Sequence, residues 1–261
     1  MFDLIIFFQN LFEMKLFSIS TLFIFQVACQ KMNGKVDINR LEVIRNASID
    51  TLKNPVLLQN LILELGTNDE QMHEMPSIII QHAGGLRIFQ YPNQLAPYLI
   101  LLSTLSITSY LEIGCRYGGN FMVTSEYLKR FNNLARSHAV DLHNSPVQEY
   151  TRKHNGFHFH RMNSQSKLFL NFMQKNSFDA IFIDGDHSYN GVKNDFYAVK
   201  GHARIYIFHD ISSSACPGVS QFWNELKSTN EYIIHEFTEQ YEEVTKRSGK
   251  QYLGIGVAIF P

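Results

Sequence analysis

Four apolar segments of this chain each run into acidic residues or glycine, and this repeated pattern constrains the fold more than any other feature. The segments are SYLEIG at residues 109–114, SHAVD at residues 137–141, FDAIFIDGD at residues 178–186 and RIYIFHD at residues 204–210. Strands that alternate with helices form a mainly parallel sheet with right-handed crossovers. Such open sheets bind ligands at the carboxyl ends of their strands. We therefore expect an α/β fold whose binding site lies where these polar ends meet.

The first segment ends in a glycine turn that favours a nucleotide-like ligand. Glu112 is followed by Gly114 and, after three further residues, by Gly118 and Gly119. Glycine allows tight or left-handed backbone and lets ligand atoms approach the main chain. The spacing is not the Gly-x-Gly-x-x-Gly of dinucleotide-binding enzymes. Asp141, at the end of the second segment, is suited to accept hydrogen bonds from ribose hydroxyls.

The remaining elements are assigned from periodicity and from chain breakers. Pro55 suits the first turn of a helix and Gly66 its end, so residues 33–65 are predicted to be helical and residues 67–77 a polar loop. The further predicted helices are 92–104, 119–131, 145–153, 165–175, 190–200 and 218–228. The predicted strands are 109–113, 137–141, 157–162, 179–184, 204–208, 231–237 and 251–260. Only the polar residues 238–250 separate the last two strands, so we expect them to form a long antiparallel hairpin.

Several motifs follow one another in an order that resembles a known family. They are GLRIFQ at residues 85–90, YPNQL at 91–95, YLEIG at 110–114, IDGDHSY at 183–189 with Gly191, Val192 and Asp195, FHD at 208–210 and GIGV at 254–257. This series resembles the small-molecule methyltransferases of cephalosporin and macrolide pathways, which are similar in fold to catechol O-methyltransferases. The resemblance covers roughly residues 80–261. It implies a class I, Rossmann-like methyltransferase fold: a mainly parallel seven-stranded sheet, an antiparallel C-terminal hairpin and an N-terminal helical extension.

The resemblance implies S-adenosylmethionine as the cofactor. The cofactor-binding residues that it implies are Glu112, Gly114, Gly118, Gly119, Asp141 and Asn163. Glu112 and the glycine backbone would contact the methionine part and the ribose, Asp141 would bind the ribose hydroxyls, and Asn163 would face the adenine. Two alternatives stay open from the residues alone: Glu112 could cap the following helix, and Asn163 could be a plain turn residue.

The resemblance also implies a divalent metal, Mg²⁺ or Mn²⁺, that lowers the pKa of the attacking hydroxyl. Asp184, His209 and Asp210 occupy the ligand positions, and Asp184 is therefore implied in catalysis. His209 departs from the family's usual acidic or amide ligand and shifts the preference toward manganese, iron or zinc. His187 stands where the family carries a general base, and imidazole titrates near neutrality. Alternatively, His209 could hydrogen-bond a loop, Asp210 could cap a turn, and His187 could shape the loop before the next helix.

The other histidines and the cysteines carry weaker signals. His158 and His160 lie on one face of a predicted strand and, with His154, could suggest a metal cluster. A solvent-facing or edge strand explains these histidines as well. The three cysteines lack metal-ligand spacing, and we expect no disulfide framework. Cys216 is not expected to take part in any chemistry.

Composition and charge narrow the class of partner. The chain has 261 residues, of which 45% are hydrophobic and 18% charged, as in a globular protein with a sizeable core. The formal net charge is −1, so no global basic field attracts nucleic acid. We therefore expect a small-molecule acceptor, bound by residues 73–91, 142–155 and 211–220, and no nucleic acid. A homo-oligomer remains open.

Residues 1–31 form a hydrophobic N-terminal segment with three open interpretations. The apolar run at residues 16–29 is shorter than the roughly 20 residues that span a bilayer. Read from Met14, it resembles a secretory signal, which would make the protein secreted or membrane-associated through residues 1–29. It could equally be a buried or interfacial helix, or reflect a mis-assigned start at Met14 or Met32. Because S-adenosylmethionine is a cytosolic metabolite, we expect a cytoplasmic protein. The predicted domains are this segment, a helical extension or cap at 32–104 and a methyltransferase domain at 105–261.

The sequence therefore predicts an S-adenosylmethionine-dependent methyltransferase that acts on an oxygen of a small molecule with divalent-metal assistance. One alternative is a non-catalytic binding or regulatory protein that retains this fold, because function lies in the site and not in the fold. The other is a nicotinamide-dependent oxidoreductase, and the lack of Gly-x-Gly-x-x-Gly counts against it. The joint presence of Asp184, His187, His209 and Asp210 favours catalysis.

Overall fold

A seven-stranded sheet organises the described part of the chain, residues 36–261, in this computed structural model. Its strands are β1 (Ser109–Ile113), β2 (Arg136–Asp141), β3 (Phe157–Arg161), β4 (Ala180–Ile183), β5 (Ile205–His209), β6 (Ile233–Phe237) and β7 (Ile255–Ile259). Their order is β3-β2-β1-β4-β5-β7-β6. The first five strands are parallel, whereas β7 runs antiparallel to both β5 and β6. The predicted Rossmann-like α/β fold with its antiparallel C-terminal pair is confirmed.

Helices cover both faces of this sheet. They are α1 (Glu42–Asn46), α2 (Ile49–Lys53), α3 (Pro55–Leu65), α4 (Ser77–Gln81), α5 (Pro92–Ser103), α6 (Gly119–Phe131), α7 (Val147–Arg152), α8 (Lys167–Met173), α9 (Tyr189–Val199), α10 (Pro217–Ser228) and α11 (Glu242–Ser248). Because side chains alternate along a strand, β1 sends Tyr110 to one face and Leu111 to the other. Tyr110 packs in the core with α3, α5 and α6, and Leu111 packs with α8, α9 and α10.

The turn between β1 and α6 requires glycine for packing. Gly114 has a φ of +85°, and a Cβ there would lie 2.0 Å from the carbonyl oxygen of Asp184. A Cβ at Gly119 would lie 2.5 Å from the carbonyl oxygen of Leu86. The glycines therefore let β1 pass close to the end of β4 and let α6 start against the segment before α5. These contacts bring the ends of β1 and β4 to one place.

Two predictions about local structure were correct only in part. The region predicted to be helical, residues 33–65, is mostly helical within its described part but is broken, because Ser48 and Asn54 accept backbone hydrogen bonds and begin new helices at α2 and α3. The predicted loop 67–77 contains a 3₁₀ turn at Met72–Glu74, and α4 begins at its last residue.

The connection between the last two strands, predicted as a polar loop, contains α11. Glu242 and Glu243 lie in the first turn of this helix and Lys246 and Arg247 in the last, which complements the helix dipole. The strand predicted at 251–260 is shorter, and only Ile255–Ile259 pairs as β7. The two strands are therefore an antiparallel pair joined by a helix, and not a long hairpin.

The predictions for the N-terminal segment 1–31 lie outside the described residues. Residues 36–261 form one compact unit, and the predicted division at residues 104 and 105 stays a prediction. No helix in the described range combines the length and the apolar character needed to cross a bilayer. The cytoplasmic location and the homo-oligomer likewise stay predictions.

Candidate active site

A cavity of about 1070 Å³ opens at the carboxyl ends of β1, β2, β4 and β5. It is lined by every residue that the sequence analysis assigned to cofactor, metal or proton transfer: Glu112, Gly114, Gly118, Gly119, Asp141, Asn163, Asp184, His187, His209 and Asp210. Each of the three segments expected to bind the acceptor also contributes lining residues, among them Phe89, Asn144 and Ala215. The predicted site residues thus come together in one cavity, and their individual roles stay predictions.

Glu112 is a buried carboxyl at the end of β1. Its Oε2 accepts a hydrogen bond of 2.7 Å from the hydroxyl of Tyr110. Burial raises the pKa of Glu112 to about 8, the hydroxyl of Tyr110 opposes this, and the negative charge of Asp184 adds to it. Glu112 does not cap α6, whose N-cap is Gly118. It is a carboxyl held close to its titration point at the floor of the cavity.

Asp141 is held by the backbone of the two loops beside it. Its Oδ2 accepts a hydrogen bond of 2.7 Å from the N–H of Arg116, and its Oδ1 accepts one of 2.8 Å from the N–H of His143. Each carboxylate oxygen has a second lone pair that these bonds leave free. Asp141 therefore faces the cavity as a fixed pair of acceptors, which is what a diol such as a ribose requires.

Asn120 is a lining residue that the sequence analysis missed. It lies in the first turn of α6, directly after the glycine turn. Its Oδ1 is buried and finds no hydrogen-bond partner among residues 36–261. An unsatisfied buried acceptor costs free energy unless a ligand donates to it. Together with Asp141 this atom makes the glycine side of the cavity fit a ligand that donates hydrogen bonds, such as the ammonium and ribose of S-adenosylmethionine.

Asp184, His209 and Asp210 form a group whose ligand atoms lie within 4.8 Å of one another. Nδ1 of His209 lies 3.1 Å from Oδ1 of Asp184 and 3.4 Å from Oδ2 of Asp210. Neither contact has hydrogen-bond geometry, and within the described chain this buried nitrogen has no hydrogen-bond partner. A ring nitrogen and two carboxylate oxygens that converge in this way fit a divalent metal.

Gln90 fixes the orientation of the His209 ring. The Oε1 of Gln90 accepts a hydrogen bond from the backbone N–H of Tyr91 and lies 3.3 Å from Nε2 of His209. Because this oxygen can only accept, Nε2 carries a proton and Nδ1 faces the carboxylates. Partners of this kind orient metal-binding histidines. The sequence motif around Gln90 carried no signal for this contact, which joins two distant parts of the chain.

Burial and charge act in opposite directions in this group. Burial alone would raise the pKa of Asp184, but His209 and His187 outweigh it and lower that pKa to about 2. Burial alone would lower the pKa of His209, but the two carboxylates raise it well above its ordinary value. The carboxylates therefore stay ionised and hold positive charge between them. Protons on the imidazoles fill the role that a bound cation would otherwise have.

His187 lies at the mouth of the cavity between three partners. Its Nε2 lies 3.2 Å from Oδ1 of Asp184, and its Nδ1 lies 3.1 Å from both Oδ2 of Asp210 and Sγ of Cys216. The hydrogen bond to Asp184 and the contact with Cys216 raise the pKa of His187 to about 11, although burial opposes them. The ring therefore keeps its proton at neutral pH in this arrangement. It could act as a base only when another cation engages the carboxylates.

The expectation that Cys216 takes no part in any chemistry conflicts with its position. Its Sγ lies 3.3 Å from Oδ2 of Asp210, and Cys216 is the N-cap residue of α10. His187, Asp210 and Cys216 form a second group that could hold a metal ion. Asp210 and Cys216 share the loop between β5 and α10, whereas His187 comes from the loop after β4, so only the fold brings the three together.

Asn163 and Asp186 have clear local roles as well as access to the cavity. Oδ1 of Asn163 accepts a hydrogen bond from the N–H of Gln165, as in an ordinary turn. Oδ1 of Asp186 accepts one from the N–H of Ser188, and a Cβ at Gly191 would collide with this carboxyl group. Asp186 belongs to the IDGDHSY motif, which is thus partly a packing motif. The adenine contact of Asn163 stays a prediction.

The outer wall of the cavity comes from residues 67–90. The buried Arg87 forms ion pairs with Asp69 and Glu70 and stacks over the ring of Tyr117, 3.7 Å from its centroid. These contacts fasten the wall to the glycine turn. Glu74 also lines the cavity, and burial raises its pKa. The wall therefore places the ion-paired guanidinium of Arg87 and the carboxyl of Glu74 beside any ligand bound in the cavity.

The suggested cluster of His154, His158 and His160 does not form in the described residues. His154 lies 3.2 Å from Oε1 of Glu126 on another part of the fold. His158 and His160 instead pack beside His138 of β2, and these three are not among the groups that could hold a metal. The interpretation of β3 as an edge strand with exposed residues is confirmed.

Part of the chain matches a known protein family. Residues 111–211 match the family model of a methyltransferase domain. No curated protein sequence matches the chain. Among solved structures, an O-methyltransferase from Bacillus cereus in complex with SAH is 14% identical, with 83% of this chain and 93% of that chain covered and a TM-score of 0.46.

Two other solved structures extend the comparison. A proposed RNA methyltransferase from Pyrococcus horikoshii is 10% identical, with 79% of this chain and 98% of that chain covered and a TM-score of 0.50. An O-methyltransferase from Streptomyces achromogenes, involved in tomaymycin synthesis and in complex with SAM, is 14% identical, with coverages of 66% and 81% and a TM-score of 0.42. At these identities the likeness concerns the fold alone.

Proposed function

We propose that this chain is a class I S-adenosylmethionine-dependent methyltransferase that methylates a hydroxyl oxygen of a small molecule with the help of a divalent metal. The match of residues 111–211 to a methyltransferase domain favours methyl transfer over the oxidoreductase alternative. The observation that carries the proposal is that one cavity is lined both by the glycine turn with Asp141 and by Asp184, His209 and Asp210. A methyl donor and a metal-bound acceptor could therefore meet in it.

The residues of the glycine side bind and orient the donor. Asp141 accepts hydrogen bonds from the ribose hydroxyls with the lone pairs that its backbone bonds leave free. Asn120 Oδ1 accepts from the ammonium group of the methionine part. Methyl transfer from a sulfonium needs alignment more than chemical help, so a fixed donor position is the main contribution of these residues.

The residues of the metal side bind the acceptor. When bound, S-adenosylmethionine supplies the electrophilic methyl group and a divalent ion supplies a Lewis acid that lowers the pKa of the acceptor hydroxyl. Asp184, Asp210 and Nδ1 of His209 would hold that ion; the two carboxylates suit Mg²⁺ or Mn²⁺, and the imidazole favours Mn²⁺. His187 would serve as the base, because a cation on the carboxylates would lower its pKa and let the ring accept the proton of the hydroxyl.

A small-molecule acceptor is supported by charge. The chain has a formal net charge of −1, and Glu74 adds a carboxyl to the cavity wall. A polyanionic nucleic acid would meet no excess of positive charge. We propose that the acceptor carries adjacent oxygens, because two oxygens on one ion would orient the reactive hydroxyl.

Calorimetric titration of the full chain with S-adenosylmethionine and S-adenosylhomocysteine tests the donor side. We expect binding that Asp141→Asn weakens and that Asp50→Asn, an exposed carboxyl on α2, leaves unchanged. Calorimetric titration of chelator-treated protein with Mg²⁺ or Mn²⁺ tests the proposed metal site. We expect a heat of metal binding that is absent in Asp184→Asn. A folded sample that binds neither donor nor product would overturn the proposed function.

A further inference from the structure

The start of α10 brings a thiol into contact with the site. Cys216 Sγ lies 3.1 Å from Nδ1 of His187 and 3.3 Å from Oδ2 of Asp210, and those two atoms are themselves 3.1 Å apart. We propose that His187, Asp210 and Cys216 form a second metal subsite that takes a thiophilic divalent ion such as Zn²⁺. The subsite rests on the proposed function through Asp210, which it shares with the first group, and its effect on catalysis rests on the proposed role of His187 as the base.

The separations of the three ligand atoms suit one small ion. Nitrogen and oxygen ligands lie about 2.0 Å from Zn²⁺ and a thiolate about 2.3 Å, so pairs of tetrahedral ligands lie roughly 3.3–3.5 Å apart. The three atoms are already separated by 3.1–3.3 Å. Only a small outward movement of the side chains is needed to admit the ion. Three protein ligands also leave a fourth position open toward the cavity.

The two loops that carry these ligands are packed directly on each other. Gly218, in the first turn of α10, lies against the backbone of the loop after β4, and a Cβ there would be 2.3 Å from the N of Tyr189 and 3.0 Å from the carbonyl oxygen of His187. Cys216 and His187 are therefore held at a fixed separation by backbone contact. A subsite whose ligands are held in place before binding loses less entropy when the ion arrives.

The chemistry of the ligands distinguishes the two groups. Asp184, His209 and Asp210 offer two carboxylates and one imidazole, whereas the second group offers one thiolate, one imidazole and one carboxylate. Thiolate and imidazole favour Zn²⁺ or Co²⁺, and Mg²⁺ takes oxygen ligands. On binding, the protons of Cys216 and His187 pass to the solvent.

Occupancy of the second subsite has a consequence for catalysis. Because the ion would be coordinated by a ring nitrogen of His187 and by Asp210, His187 could no longer accept a proton from the acceptor. Thiophilic ions should therefore inhibit a reaction that Mg²⁺ supports. The arrangement makes Cys216 the residue through which zinc would suppress methyl transfer.

Absorption spectroscopy of the full chain during titration with Co²⁺ tests the subsite directly. A thiolate bound to Co²⁺ produces an intense near-ultraviolet charge-transfer band that oxygen and nitrogen ligands do not produce. We expect this band in the parent chain and in Cys29→Ser, and its loss in Cys216→Ser. We also expect Zn²⁺ affinity to fall by at least about 10-fold in Cys216→Ser, whereas Mg²⁺ affinity stays unchanged.

The controls separate this inference from the proposed function. Asp184→Asn should weaken Mg²⁺ binding and leave the charge-transfer band in place. A band that persists in Cys216→Ser, or Co²⁺ binding without any such band, overturns the second subsite. S-adenosylmethionine binding by the same Cys216→Ser sample then reports whether the proposed function stands, because Cys216 has no part in donor binding.

Discussion

Two buried histidines at different places in the same sheet, His209 and His138, have pKa values shifted in opposite directions. At the ends of β4 and β5, carboxylates raise the pKa of His209 against the effect of burial. On β2 and β3, burial and the neighbouring rings of His160 and His158 lower the pKa of His138 to about 3. Nδ1 of His138 lies 2.9 Å from Nε2 of His160, and aromatic rings complete its surroundings. The surroundings of His209 therefore favour the protonated ring, and those of His138 favour the neutral ring.

The difference shows that the spacing of histidines along the chain is a poor guide to their chemistry. His158 and His160 have the alternation that suggests a ligand pair, yet no carboxylate lies among the groups that shift the pKa of His138 beside them. His209 has no second histidine two positions away, but Asp210 beside it in the sequence and Asp184 at the end of the neighbouring strand give it charge partners. The partners decide between a metal site and a packed core.

The largest effect is expected from removing His209, the histidine that we propose as a metal ligand. His209→Ala should lower the affinity for Mn²⁺ by more than about 100-fold, because even the loss of an outer partner costs roughly 10–100-fold. Titration followed by paramagnetic resonance of the free ion measures this affinity. His160→Ala is the matched control on the other histidine group and should bind Mn²⁺ as the parent does. If both variants lost Mn²⁺ affinity equally, the two groups of histidines would not differ in metal binding.

The second effect concerns stability in acid. The pKa of His138 is about 3 in the folded state and about 6.5 in the unfolded chain, so the unfolded chain binds more protons as the pH falls below 6.5. Because of His138, the folded state should therefore lose about 2 kcal/mol of stability when the pH falls from 7.5 to 5. His138→Phe, whose ring suits the contacts with Phe172 and Phe178, should remove that part of the acid sensitivity.

Urea unfolding at pH 7.5 and pH 5 measures this difference. His143→Gln is the control, because the side chain of His143 is exposed, and this variant should lose as much stability in acid as the parent. If His138→Phe loses as much stability in acid as the parent, the packed histidine group is not what makes the fold acid-sensitive.

The smallest effect is expected at the edge of the sheet. His158 is exposed on β3, and its ring centroid lies 4.8 Å from that of His138. His158→Ala should change the free energy of unfolding by less than about 0.5 kcal/mol, as is usual for surface substitutions. If thermal unfolding shows a loss of free energy well above that value, His158 stabilises the packing around His138. That result would sharpen the contrast with His209.

The elements that the sequence predicted are those whose signals are local. The buried strands that end in Glu112, Asp141 and Asp184 could be predicted because an apolar run and a polar end lie within a few residues of each other. The helix α11 was missed, although its charges at 242–247 have the order of a helix with a favourable dipole. The breaks before α2 and α3 depend on Ser48 and Asn54, which a continuous apolar pattern conceals.

The parts of the site that could not be predicted are contacts between distant segments. Gln90 reaches His209 across 119 positions, and Cys216 reaches His187 across 29. Asn120 differs, because only its burial without a partner marks it. No periodicity carries such information, since side chains far apart in sequence meet only when the backbone has folded.

By itself the sequence determined the order of strands and helices, the glycine turn and the acids at the strand ends, because these follow from local periodicity and from the steric freedom of glycine. The tertiary structure decided which histidines have carboxylate partners, that Cys216 faces His187, and that His138 is packed in a neutral state. Charge and burial act through space over a few ångströms. Their effects therefore exist only once the strand ends have been brought together.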